Sequence, residues 1–226
     1  MKKCSGLLLL LGLLVQLSGQ AAVDSVAVDV NFQFVDGLYP NVAALKAHRP
    51  ALVFGNLAGK LVLQEEEYLL KVESLYPKGR PDLAIPLADI GVICFNGLPY
   101  FRAYEDSLRQ FTVYAGLRVR GRLSYYTYEQ QQPDTVLVKA YNPVTGRPFR
   151  QQAIIRTLPQ LVEKVVDLAT GLYYDFNLEN MLHLLAADPA LVSSLRELEP
   201  AEAEARLQRC LLIFDDRHPL YLPKPE

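Results

Sequence analysis

Tryptophan is absent, histidine and cysteine occur three times each, and beyond residue 22 no apolar run approaches the length of a membrane-spanning helix. Each scarcity excludes something. His48, His183 and His218 lie far apart and none has a partner at ligand spacing, so the common histidine-based metal motifs are excluded. Three cysteines in 226 residues are too few for a disulfide-stapled scaffold. There is no Gly-x-Ser-x-Gly elbow, Walker loop, dinucleotide fingerprint or His-Glu-x-x-His helix. No cofactor and no metal is therefore expected. A net charge of −2 leaves no basic footprint for nucleic acid.

What is present begins at the N-terminus. Lys2 and Lys3 precede the apolar run Leu7 to Leu17, followed by the small-residue exit Ser18-Gly19-Gln20-Ala21-Ala22. This is the layout of a secretory signal peptide over residues 1–22, with cleavage near Ala21 or Ala22, or alternatively near Gly19. The 11-residue core is short for a retained anchor, which needs about 20. Cys4 lies before the core, where it cannot serve as a lipoprotein cysteine. The expected destination is the periplasm, the outer-envelope surface or the extracellular space, with no transmembrane span after processing. Residues 23–226 then read as one α+β domain carrying 21 basic and 25 acidic residues.

Ser25 to Val35 alternates strictly, with Val26, Val28, Val30, Phe32 and Phe34 on one parity, and predicts a half-buried strand. A short helix-like stretch runs from Pro40 to Ala47. Further strands are expected at 51–54, 60–63, 68–75, 91–95, 100–104, 110–115, 117–128 and 135–141, and a hairpin at 161–176. Asn96-Gly97, Glu105-Asp106-Ser107 and Asn142 to Gly146 supply turns, and no spacing admits a parallel crossover. Tyr76 to Pro86 reads as a long surface loop. After Phe176 the period becomes helical: Asn177, Asp188-Pro189 and Glu199-Pro200 open three short helices over 177–215. The expected fold is α+β, a curled antiparallel sheet or meander of about 8–10 strands in a strand-rich region 23–176, followed by those helices.

Asp36-Gly37-Leu38-Tyr39, the segment Ile90 to Tyr100, Gly121-Arg122-Leu123-Ser124-Tyr125-Tyr126 and Asp216-Arg217-His218-Pro219-Leu220 together give the chain its likeness. It resembles uncharacterised secreted proteins of Bacteroidetes-type bacteria. The resemblance implies secretion and the strand-then-helix order, and carries no activity.

Arg118, Arg120 and Arg122 are the sharpest binding candidate. On one strand they would share a face at a spacing of about 6–7 Å and could hold an anionic glycan or lipid headgroup, or simply form a solvated face balanced by carboxylates such as Glu105 or Glu129. Thirteen tyrosines, among them Tyr100, Tyr104, Tyr114, Tyr125, Tyr126, Tyr128 and Tyr141, could form an aromatic platform, although packing explains strand tyrosines equally. His218 with Asp215 and Asp216 could be a metal site or a polar helix terminus. Cys94 with His218 could be a nucleophile and base, but the apolar setting of Cys94 does not activate a thiol. Cys94 and Cys210 read as separate buried thiols, with a disulfide as the alternative. Glu65-Glu66-Glu67 reads as a soluble turn. These features favour a secreted or periplasmic non-enzymatic binding or envelope-assembly protein, with an envelope protein or an anionic glycan or lipid as partner. A hydrolase whose site is hidden in linear order is the alternative.

Overall fold

The computed structural model describes residues 25–141 and 143–224, so the signal-like segment 1–22 and Asn142 of the expected turn lie outside the described residues. Strand β1 (Ser25–Ala27) leads into β2 (Gly37–Tyr39), helix α1 (Val42–Lys46), β3 (Leu52–Val53), β4 (Leu57–Gln64), β5 (Leu69–Pro77), β6 (Val92–Phe95), β7 (Leu98–Asp106) and β8 (Phe111–Gly116). From β2 to β8 these strands form a seven-stranded sheet in the order β3-β2-β6-β7-β8-β5-β4, antiparallel throughout. A 3-10 turn, Phe54–Asn56, joins its two edge strands, so the sheet curls almost to closure. Leu38, Leu70, Val72, Leu75, Ile93 and Tyr114 fill its concave side.

The β6–β7 hairpin shows why local sequence selects this geometry. Asn96 and Gly97 both have positive φ, 53° and 70°, which is what a two-residue turn between right-twisted strands requires. The Asp36 carboxylate accepts from both of their backbone N–H groups, at 3.1 and 2.7 Å, and pins the turn to the chain leaving β1.

A second sheet lies on the convex side, in the order β11 (Leu172–Asp175), β10 (Pro148–Asp167) and β9 (Leu123–Tyr141). Strand parity divides its base between two cores. Tyr126, Tyr128 and Val166 pack with Phe101, Val113 and Ala115 of the first sheet, while Leu123, Tyr125 and Val165 pack with the C-terminal helices. Those helices are α2 (Leu178–Leu184), α3 (Pro189–Arg196) and α4 (Pro200–Arg217), and β12 (Tyr221–Pro223) closes the described chain by pairing with β1. Asn177 and Asp188 accept from the N–H groups of Asn180 and Leu191 at 3.0 and 3.2 Å, as N-caps should. The α+β order, antiparallel pairing and curled sheet are as the sequence implies.

Four details differ. Only Ser25–Ala27 of the expected strand 25–35 is a strand, because Asp29 Oδ1 accepts from the N–H groups of Asn31 and Phe32 and turns the chain, although Val28, Phe32 and Phe34 are still buried. The expected strand 117–128 is broken: residues 117–122 double back in a tight bend, closed by a bridge between Val119 and Tyr125. Helix α4 is 18 residues long and not short. The largest difference is that β9 and β10 are 19 and 20 residues long and pair in one register from Leu123–Asp167 out to Ala140–Arg150, with a shift before the last pair, Tyr141–Pro148.

Candidate functional site

The bend at 117–122 removes the arginine ladder. Its three guanidinium groups go to three different parts of the molecule. Arg118 donates through Nε to Thr127 Oγ1 at 2.8 Å and through a terminal nitrogen to the Glu67 carbonyl at 3.2 Å, and lies over the Tyr68 ring. Arg120 donates to the Phe32 carbonyl at 3.1 Å. Arg122 lies over the Phe214 ring, with Nε 3.8 Å from Asp167 Oδ1. Extended-strand spacing does not apply in a bend, so the three share no face; they fasten the bend to the β4–β5 turn, the N-terminal segment and α4.

Asp215, on the last turns of α4, completes the fastening. Its Oδ1 accepts from the Leu123 N–H at 2.8 Å, while Oδ2 is buried without a hydrogen-bond partner. Gly121 leaves the room this carboxylate occupies, since a Cβ there would lie 2.1 Å from Oδ2. Burial pushes the Asp215 carboxyl up to about 7, against the opposing pull of the backbone bonds and the Arg122 charge.

The other candidates disperse. His218 sits against the Phe214 ring with Nε2 3.9 Å from Asp188 Oδ2, and Asp215 is turned toward Leu123, so His218, Asp215 and Asp216 do not converge. Among the described residues no group of three or more His, Cys, Asp or Glu is arranged to hold a metal ion. Cys94 is buried in the core between the sheets and directs its thiol toward Asp36, and burial together with that carboxylate raises its pKa, the opposite of an activated nucleophile. Cys210 is buried among the helices in a different core, and both thiols are free. Tyr100, Tyr114, Tyr125, Tyr126 and Tyr128 are buried, so the strand tyrosines are packing residues; Tyr141 is exposed.

What the structure adds is the outer part of the β9–β10 hairpin. Beyond Tyr128 and Val162 the ladder continues for 13 residues of β9, about 40 Å at the rise of an antiparallel strand. Nearly every described side chain on it is exposed. Its ion pair, Arg156 Nε to Asp134 Oδ2 at 2.8 Å, stays inside the arm.

No family model, curated protein or solved structure matches the chain. The arm itself is then the guide to function. Directly paired residues share a face, so Leu137, Ile155 and Leu161 lie on one side and Val138, Ile154 and Leu158 on the other. All six are between 41% and 72% exposed. The two parities that meet separate cores at the base thus continue outward, exposed on both faces among the described residues. A lone two-stranded hairpin is at best marginally stable in water, and these six apolar side chains leave it exposed on both faces. The expected strand 135–141 lies on this arm, but 148–160 carries no clean alternation and is interrupted by Pro159, which hid the return strand.

Proposed function

We propose that this is an exported, non-enzymatic binding protein that takes part in an envelope assembly, with the β9–β10 arm as its docking element. The carrying observation is the arm's exposed apolar residues on both faces, held out from a base that is buried on both faces. Covering Leu137, Val138, Tyr141, Ile154, Ile155, Leu158 and Leu161, each about half exposed, is worth on the order of 7–10 kcal/mol gross. Association costs about 4–15 kcal/mol, so a partner covering one face by apolar contact alone would bind weakly. Charge or a second covered face has to contribute. Export is supported by the Lys2-Lys3, Leu7 to Leu17 and Ser18 to Ala22 layout. Among the described residues no helix is long and apolar enough to cross a membrane.

The test is an arm-shortened variant in which residues 131–159 are replaced by Asn-Gly, closing the hairpin between the paired Gln130 and Gln160. Produced in the native host, both proteins should be processed to an N-terminus between residues 20 and 23. Only the full-length arm should bring the protein into a large complex on size fractionation of the envelope. Identical fractionation of the two would remove the arm from the function.

A further inference from the structure

Resting on the reading that the arm docks, we infer that its occupant is a second copy of this chain, the distal arm of one copy seating on the α3–α4 end of another. Charge favours this pairing. From Glu129 to Val162 the chain carries Lys139, Arg147, Arg150 and Arg156 against Glu129 and Asp134, which leaves 17 bases against 23 acids in the rest of residues 23–226. The arm is a cationic projection on an acidic body. Two such arms laid together would oppose like charges, whereas an arm laid on a body pairs opposite ones.

Acid and apolar surface coincide at one end of the body. Glu197, Glu199, Glu202 and Glu204 are all exposed at the corner between α3 and α4, flanked by the exposed Arg196 and Arg206. Beside this corner lies a groove of about 380 Å³ lined by Leu191, Leu195, Leu198 and Ile213 together with Glu197, Arg206 and Arg209. Of these charged groups, Arg206 is already bound to Glu202 at 2.6 Å. An apolar lining with an acidic corner complements an arm that offers Leu137, Ile155 and Tyr141 beside Lys139 and Arg147.

The arm cannot use the groove of its own chain. The ladder runs without a register shift from the base to the Pro148/Arg150 irregularity, so the arm has no bulge at which to fold back over its own helices. The contact joins two different surfaces, and copies would therefore pair reciprocally or extend head to tail.

Sedimentation velocity of the purified protein across a concentration series, at low and at high salt, tests this. Self-association that weakens with salt is expected. Lys139→Glu with Arg147→Glu should weaken it at least tenfold, as should Glu197→Lys with Glu199→Lys, and combining the two sets should restore it to within a few-fold of the wild type. Circular dichroism should be unchanged in all three, because these side chains are exposed. A monomer at every concentration, or association indifferent to both reversals, would overturn the inference. If the monomeric protein bound phosphatidylglycerol vesicles and the arm reversal abolished that, the arm would still dock, but on an anionic lipid surface. If the arm-shortened variant also behaved as wild type in envelope fractionation, the docking reading would fail with it.

Discussion

Replacing Asp215 by Asn should make the protein more stable at pH 8, and by less than half as much at pH 5. The carboxyl titrates near 7 in the folded chain, against 3.8 for an ordinary exposed Asp. A folded-state pKa raised above the unfolded one means that the neutral acid is the form the fold prefers. The associated stability is therefore complete below about pH 4 and is lost as pH rises through 7. Each pH unit between the two affinities is worth about 1.4 kcal/mol, so the ionised carboxylate costs on the order of 4 kcal/mol at pH 8, or about 2–3 once partial exposure of the residue is allowed for. Asparagine keeps an oxygen for the Leu123 N–H and carries no charge to bury, and its amide occupies the space beside Gly121 where Oδ2 now lies. Urea unfolding at pH 5, 6, 7 and 8 reads the difference directly. The wild-type midpoint should fall steadily relative to the variant from pH 5 to about 7 and level off toward pH 8. Parallel pH profiles would refute the reasoning and show that Arg122 and the backbone hold Asp215 ionised throughout.

Two further outcomes follow from the same bend and the same cores. Changing Arg118, Arg120 and Arg122 together to Gln should destabilise the fold by about 3–5 kcal/mol in denaturant titration, because hydrogen bonds from charged groups to Thr127, Glu67 and Phe32 are each worth about 1.5–3 kcal/mol; a loss under 1 kcal/mol would return them to a solvated face. Cys94 and Cys210 should resist alkylation in the native protein and both react after unfolding without reductant, since they occupy separate cores; labelling that requires reductant would mean a disulfide.

The parts of the fold legible in the sequence were those set by local chemistry. Asn177, Asp188-Pro189 and Glu199-Pro200 mark helix starts because orphan N–H groups and a fixed φ are needs of the backbone itself, and α2, α3 and α4 begin one residue after Asn177, Asp188 and Glu199. Asn96-Gly97 marks a turn for the same kind of reason. What was not legible depended on pairing over distance. Arg118 to Arg122 alternate as a strand would, but Gly121 and the Ser124 hydroxyl, which donates to the Gly121 carbonyl at 2.9 Å, let the chain bend there, and the arginines find acceptors 51 and 88 residues away. The return strand of the arm was hidden because a strand exposed on both faces has no reason to alternate.

The prolines on the arm show which part of it is open to partners. Pro133 pairs with Thr157 and Pro159 with Gln131, positions two apart in the ladder and hence of the same hydrogen-bonding class. A proline in an antiparallel strand is tolerated where its missing N–H faces the open edge. Both prolines can meet that condition only if this class is the non-hydrogen-bonded one, and then each interrupts the row of outward donors on its own strand. The two edges are thereby guarded at the same level of the arm against adding a foreign strand. The faces have no such guard: Thr135–Ile155 and Leu137–Ala153 on one side and Val136–Ile154 and Val138–Gln152 on the other present apolar groups immediately beyond the prolines. An arm blocked at its edges and apolar on its faces is built to be covered by packing, which is the kind of contact that an apolar helical groove provides.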